Sequence, residues 1–192
     1  DAGVQPVLGV EPDMAVFAKS ISNGYAMGAV VGRRDVMASA DRMFVSSTYW
    51  GETVGLAATV ATLTELRNRN TAQTLARTGA ALKQRLNDVA SDVGVSICCT
   101  GVDYHPHLEF SVEDPVLGNK IVTLYVQEMA KRGHHGYSSF YLNESQGEVE
   151  IEMIGDAARE VFALIGETID DGRIDERLEA EERQEFFRRL VT

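Results

Sequence analysis

Two short apolar runs, Met14-Ala-Val-Phe-Ala18 and Gly28-Ala-Val-Val-Gly32, flank a polar, glycine-containing turn. Runs this short and this apolar, bounded by turn residues, are the pattern of strands buried on both faces in a parallel sheet. Such strands need neighbours on either side and a layer over each face. Residues 1–70 offer one more candidate strand, "MFVSST", and a short helix opening at Arg33-Arg34-Asp35-Val36-Met37. They also hold one long helix, "TVGLAATVATLTELR" from Thr53 to Arg67. Its lack of charge before Glu65 predicts burial on most sides. A doubly wound catalytic sheet usually needs about five strands or more. This segment is therefore expected to be the end of a larger α/β layer rather than a closed one.

Past residue 70 the texture changes. From Thr71, the spacing of Leu75, Gly79, Leu82, Leu86 and Val89 by steps of four and three predicts a helix with one apolar stripe. "VSICCTG" and "PHLEFSV" read as strands, the second with period-two alternation and so with one wet face. "NKIVTLYVQEMAKRG" is a helix closed by a glycine, and "YSSFYLN" is a candidate short strand. Ser145-x-x-Glu148 has the form of a capping box before a helix striped by Ile151, Ile154, Ala158, Val161 and Ile165. The closing "DERLEAEERQEFFRRL" is charged and weakly amphipathic. Residues 1–70 are thus expected to be the end of an α/β domain, and 71–192 an α+β domain.

Composition excludes several classes. The chain has 192 residues, 44% hydrophobic and 24% charged, enough to bury a core. Its formal net charge of -11 disfavours nucleic acid or an anionic membrane as partner. No apolar run approaches the roughly 18 residues that span a bilayer, and no charged-then-apolar leader is present. The only cysteines, Cys98 and Cys99, are adjacent within a candidate strand. That suits a buried thiol in a reducing compartment, and the cytoplasm is the expected location.

Lys19 places an ammonium at the end of "MAVFA". Such a lysine pairs with an acid, reaches to water, or is kept because its amine reacts. A reactive lysine needs low polarity nearby to free its amine, and the apolar strand is expected to supply it. The small-residue turn from Ser20 to Gly24 leaves room for a ring beside the amine.

Several anchors extend this pattern. Gly9-Val10-Glu11-Pro12-Asp13-Met14, Lys19, Asn23-Gly24, Gly28-Ala29 and Gly32-Arg33-Arg34-Asp35-Val36-Met37 together resemble the cofactor-lysine segment of class III aminotransferases. Within them the likeness is closest to glutamate-1-semialdehyde aminomutase and its relatives. The resemblance implies a fold type I enzyme, with pyridoxal 5'-phosphate as cofactor and Lys19 as its Schiff-base residue. It implies a small-molecule amino or oxo substrate and a homodimer with a shared active site. "SSTYWGETVGLAA" resembles the family segment whose threonine reaches the phosphate of the cofactor held by the neighbouring subunit. That role falls on Thr48, and a hydroxyl beside a helix start suits a phosphate. The fold class implied is the end of a PLP-binding large domain followed by a small C-terminal α+β domain.

Departures bear on the substrate. Ser22-Asn23-Gly24 stands where the family has a glycine triplet, Ala26 where it commonly has proline, and Gly51-Glu52-Thr53 where it has glycine, small residue, proline. The family's aspartate for the pyridine nitrogen, its main phosphate loop and its ring-stacking aromatic would all fall before Asp1. The chain is therefore expected to be the C-terminal half of such an enzyme, inactive alone. The rival expectation is a non-catalytic, dimer-forming fragment that keeps the fold without the chemistry.

Other candidates are weaker. His105, His107, His134 and His135 lack metal spacing, and loop-end histidines are the simpler reading. Tyr49 and Trp50 could line a cofactor pocket or a dimer seam, or pack in a core. Glu52 could touch substrate or sit as a solvated carboxylate before a helix.

Overall fold

The computed structural model describes residue 3 and residues 5–182, and the chain divides into two compact units, the first ending at Ala72 and the second starting at Gln73. The last part of the charged C-terminal run, residues 183–192, lies outside the described residues.

In the first unit, β1 (Met14–Ala18) pairs with β2 (Gly28–Gly32) in a two-stranded sheet. The pairing is antiparallel, from Met14 opposite Gly32 to Ala18 opposite Gly28, which corrects the expected parallel arrangement. The connection explains it: nine residues of turn cannot carry a crossover, which takes a dozen or more. Gly32 lets the strands close tightly, since a Cβ there would lie 2.6 Å from the Asp13 carbonyl oxygen. Arg33 seals that end, donating its N–H to the Asp13 carbonyl at 3.0 Å and its guanidinium to the Asp13 and Asp35 carboxylates at 2.9 and 2.6 Å.

A short helix α1 (Arg34–Met37) follows, then a 3-10 turn to Arg42. "MFVSST" forms no strand, because nothing among the described residues pairs with it; Phe44 is 95% exposed. Helix α2 (Thr53–Asn68) forms where expected, but it is not buried on most sides. Gly55 is its only fully buried residue, and Val54, Leu56 and Val60 are open. An apolar helix records that it needs cover; it does not carry that cover with it.

The second unit builds the core. Helix α3 (Thr71–Val93) turns Gly79, Leu82, Leu86 and Val89 of its expected stripe inward, together with Ala90, while Leu75 is half-buried. Gly79 has no room for a side chain: a Cβ there would overlap the Asp103 carbonyl. Strands β3 (Ile97–Thr100) and β4 (His107–Phe110) pair antiparallel. "YSSFYLN" contributes only a bridge from Ser139 to His107, so it is not a strand. Helix α4 (Pro115–Lys131) is capped by Asp114, whose carboxylate accepts the Val116 N–H at 2.9 Å, and Gly133 at φ +83° ends it. Helix α5 (Glu148–Asp171) buries Ile151, Ala158, Val161 and Ile165 of its expected stripe, with Ile154 half-buried against the same core. Its cap is not Ser145. Gly147 occupies that place, and Glu150 takes the Gly147 N–H at 2.7 Å. Ser145 is drawn instead into a turn closed by Asn143 and Gln146. Helix α6 (Ile174–Arg177) sets Ile174 into the same core.

The thiols divide by strand alternation: Cys99 is buried and Cys98 exposed. Burial, with the neighbouring Cys98, pushes the Cys99 thiol up to about 12. Ellman's reagent on the folded chain is therefore expected to titrate one thiol at once, Cys98, and the second only after denaturant is added. Two fast thiols would contradict the burial of Cys99.

A buried carboxylate ties α4 to its neighbours. Glu128 accepts hydrogen bonds from Lys131, Gln127 and Arg132 at 2.8, 3.0 and 3.0 Å. Arg132 also reaches Glu160 of α5, and Lys131 reaches Glu179. Burial pushes the Glu128 carboxyl up, but these donors outweigh it and hold it at about 2, against an ordinary 4.5. As pH falls, the unfolded chain takes up this proton first. The contribution is complete above about 4.5 and disappears as pH drops towards about 2. Denaturation midpoints measured from about pH 5 to about pH 2.5 should fall more steeply for the wild type than for Glu128→Gln. Parallel curves would mean that the network carries no pH-dependent stability.

Candidate active site

Lys19 stands where β1 ends. Ala18 is still extended, at φ -154° and ψ -171°, and Lys19 turns into the left-handed region at φ +56°. A lysine gains nothing intrinsic there; the conformation costs about 1–2 kcal/mol and survives only where neighbours enforce it. Asn23 at φ +48° and Gly24 at φ +103° complete a tight loop.

Ser22 holds that loop. It is 1% exposed in a unit whose other residues are mostly open. Its hydroxyl donates to the Tyr25 carbonyl at 2.5 Å and lies 3.5 Å from the Lys19 carbonyl, which also accepts the Ser22 N–H at 3.3 Å. From the other side α2 presses close: a Cβ on Gly55 would lie 2.5 Å from the Ala26 carbonyl oxygen. The sequence marks Ser22 only as a departure from the pattern the chain resembles, and it carries no sign of the part that Gly55 plays.

The Lys19 side chain is exposed, and among the described residues no carboxylate pairs with its ammonium. The expected stripping of water by "MAVFA" is therefore not met within this chain. The reason is local. Among the described residues β1 has a single neighbouring strand, and alternate residues face outward, Val16 being 75% exposed.

Thr48 lies in the turn before α2, exposed, and its hydroxyl makes no hydrogen bond among the described residues. The turn is closed by Trp50 N–H to the Ser47 carbonyl at 3.2 Å and Glu52 N–H to the Tyr49 carbonyl at 3.0 Å. The helix end itself belongs to Glu52, whose carboxylate accepts the Val54 N–H at 2.8 Å and acts as N-cap. Tyr49 and Trp50 are each 70% exposed, so they pack in no core of this chain. No hydrogen bond or ion pair among the described residues joins Lys19 to Thr48.

His105 and His107 are engaged otherwise. His107 sits 3.2 Å from both the Thr100 hydroxyl and the Glu109 carboxylate, and the His105 ring packs on Tyr141 at 4.4 Å. No group of three or more His, Cys, Asp or Glu among the described residues is placed to hold a metal ion. None of the helices formed by the described residues is long and apolar enough to cross a membrane.

The fold is that of part of a fold type I transaminase. The FumI protein of Sphingopyxis sp. MTA144, determined in its PLP internal aldimine form, superposes with a TM-score of 0.78 at 24% identity, over 88% of this chain and 40% of that one. The family model for aminotransferase class-III matches residues 4–98, and that stretch belongs to the family. The chain is 28% identical over 170 residues to 3-aminobutyryl-CoA aminotransferase of Cloacimonas acidaminovorans, covering 85% of this chain and 41% of the relative. It is 25% identical over 174 residues to glutamate-1-semialdehyde 2,1-aminomutase of Pelotomaculum thermopropionicum, covering 83% of this chain and 40% of the relative. The chain thus spans about two fifths of the length of each of these two relatives.

Proposed function

We propose that this chain is the C-terminal portion of a pyridoxal-phosphate enzyme that moves an amino group on a small amino or oxo substrate, as aminotransferase or aminomutase. Residues 1–70 are then the end of the cofactor-binding large domain, and 71–192 the small domain. The observation that carries the reading is Lys19 itself. It lies inside the family-matched stretch, is held left-handed by its neighbours, and has no carboxylate partner among the described residues. A covalent attachment point needs such an amine, one not already committed to an ion pair.

Lys19 would hold the cofactor through its Nζ, and Thr48 would reach the phosphate of the cofactor bound by a second copy in a homodimer. The open Thr48 hydroxyl and the exposed Tyr49 and Trp50 beside it fit that arrangement. When bound, pyridoxal phosphate supplies a sink for the electrons of a substrate carbon–hydrogen bond. The amine of Lys19 would be the base that moves the proton. The unpaired thiols and acidic charge suit a cytoplasmic location.

The second reading, a non-catalytic dimer-forming fragment, is favoured by the exposure of Lys19 and of β1 in this chain alone. Absorption spectra after adding pyridoxal phosphate separate the two. The complete polypeptide carrying this sequence should gain a visible or near-ultraviolet band, while the 192-residue chain should not. A complete polypeptide that gains no such band sinks the enzyme reading.

A further inference from the structure

We propose that Ser22 is a positioning residue for Lys19, acting through the loop backbone to aim the amine; this rests on the reading of Lys19 just given. Two ends of one loop meet at this serine. Its N–H goes to the Lys19 carbonyl at 3.3 Å, and its hydroxyl goes to the Tyr25 carbonyl at 2.5 Å. Between them Asn23 and Gly24 both carry positive φ, so the return of the chain depends on a closure that neither enforces alone.

Lys19 sits at the start of this loop at φ +56°. An L side chain leaves that conformation readily, and relaxing to an ordinary φ swings the Cα–Cβ bond and everything beyond it. With the hydroxyl in place, the loop has one shape. The close approach of Gly55 to the Ala26 carbonyl removes the room in which a loosened loop could slide. The Ser22 hydroxyl is therefore the lock on this loop: it supplies a side-chain donor to the Tyr25 carbonyl that alanine or glycine would lack.

The test uses the complete polypeptide freed of cofactor, with pyridoxal phosphate as probe. The rate at which the lysine-linked absorbance appears should fall about tenfold in Ser22→Ala, the equivalent of one well-made hydrogen bond. Ser22→Cys, nearly isosteric but a poor donor, should fall similarly if the alanine variant does not fold. Ser22→Thr, which restores the hydroxyl, should recover the rate, and Ser91→Ala, at an exposed position of α3, should not change it. Without any cofactor, amide hydrogen exchange at Ser22 and Tyr25 should quicken in Ser22→Ala. Wild-type rates in both Ser22→Ala and Ser22→Cys overturn this inference alone. So does slowing that Ser22→Thr fails to recover while exchange at Ser22 and Tyr25 stays unchanged. A wild-type protein that forms no adduct at Lys19 overturns the underlying reading, and this one with it.

Discussion

Phe162→Ala is expected to destabilise the second unit by about 3–5 kcal/mol. Phe162 is fully buried on α5, and its ring lies 6.4 Å from that of Tyr125, which in turn meets Phe110 at 5.7 Å. Three elements, α5, α4 and β4, thus meet through one chain of rings. Removing the first ring removes its transfer free energy and leaves a cavity that helices fixed at both ends cannot collapse into. Domains of this size carry only about 5–15 kcal/mol in all, so the variant should sit near the edge of unfolding at room temperature. Val149→Ala, at an exposed position in the first turn of the same helix, should change stability by no more than about 0.5 kcal/mol. Urea denaturation followed by far-ultraviolet circular dichroism compares them. A loss below about 1 kcal/mol for Phe162→Ala would mean that the packing of α4 on α5 is not the core it is taken to be.

The second large effect is chemical. In the complete polypeptide, Lys19→Ala should abolish the lysine-linked absorbance and lower amino transfer by on the order of 10²–10⁴ from the lost proton transfer alone. The amine donor best used by the wild type serves as the assay substrate. Lys19→Arg separates two explanations. It keeps the positive charge but cannot form the carbon–nitrogen bond to the cofactor, nor act as a base near neutral pH. It should be as impaired as the alanine variant. Activity retained in Lys19→Arg would make the residue a charge and nothing more.

What the sequence disclosed depended on whether an element carries its own cover. Helices α3 and α5 were legible because Leu82, Leu86 and Val89, and Ile151, Ala158, Val161 and Ile165, mark one side each, and their partners lie in the same unit. Helix α2 was legible as a helix, but its apolar residues run all round, which states a need for burial without naming what meets it. The strands were harder. An apolar run serves a parallel or an antiparallel neighbour equally well, and only the short connection decided between them for β1 and β2. "MFVSST" had strand composition and no partner. At the start of α5, Ser145 and Glu148 have the spacing of a capping box, but Ser145 lies in the turn held by Asn143 and Gln146, and Gly147 with Glu150 takes the cap.

The site divides the same way. Lys19 and Thr48 were visible as residues set in motifs, because resemblance reads identity and spacing. Their surroundings were not visible. The exposure of Lys19 follows from which layers lie over β1, and the burial of Ser22 follows from a loop of left-handed residues that no periodicity records. Glu52 had two readings, and the one the geometry realises is the cap on α2, since the carboxylate lies within reach of the Val54 N–H.

The reactivity of one amine is tested most directly by where a permanent label lands. Complete polypeptide loaded with pyridoxal phosphate is reduced with borohydride, digested with trypsin and mapped by mass spectrometry. A reduced adduct blocks cleavage after Lys19, so the labelled peptide should run on through the loop and β2 to Arg33. The cofactor mass on that peptide is the predicted result; cleavage after an unmodified Lys19, with the label on another lysine, would contradict the account.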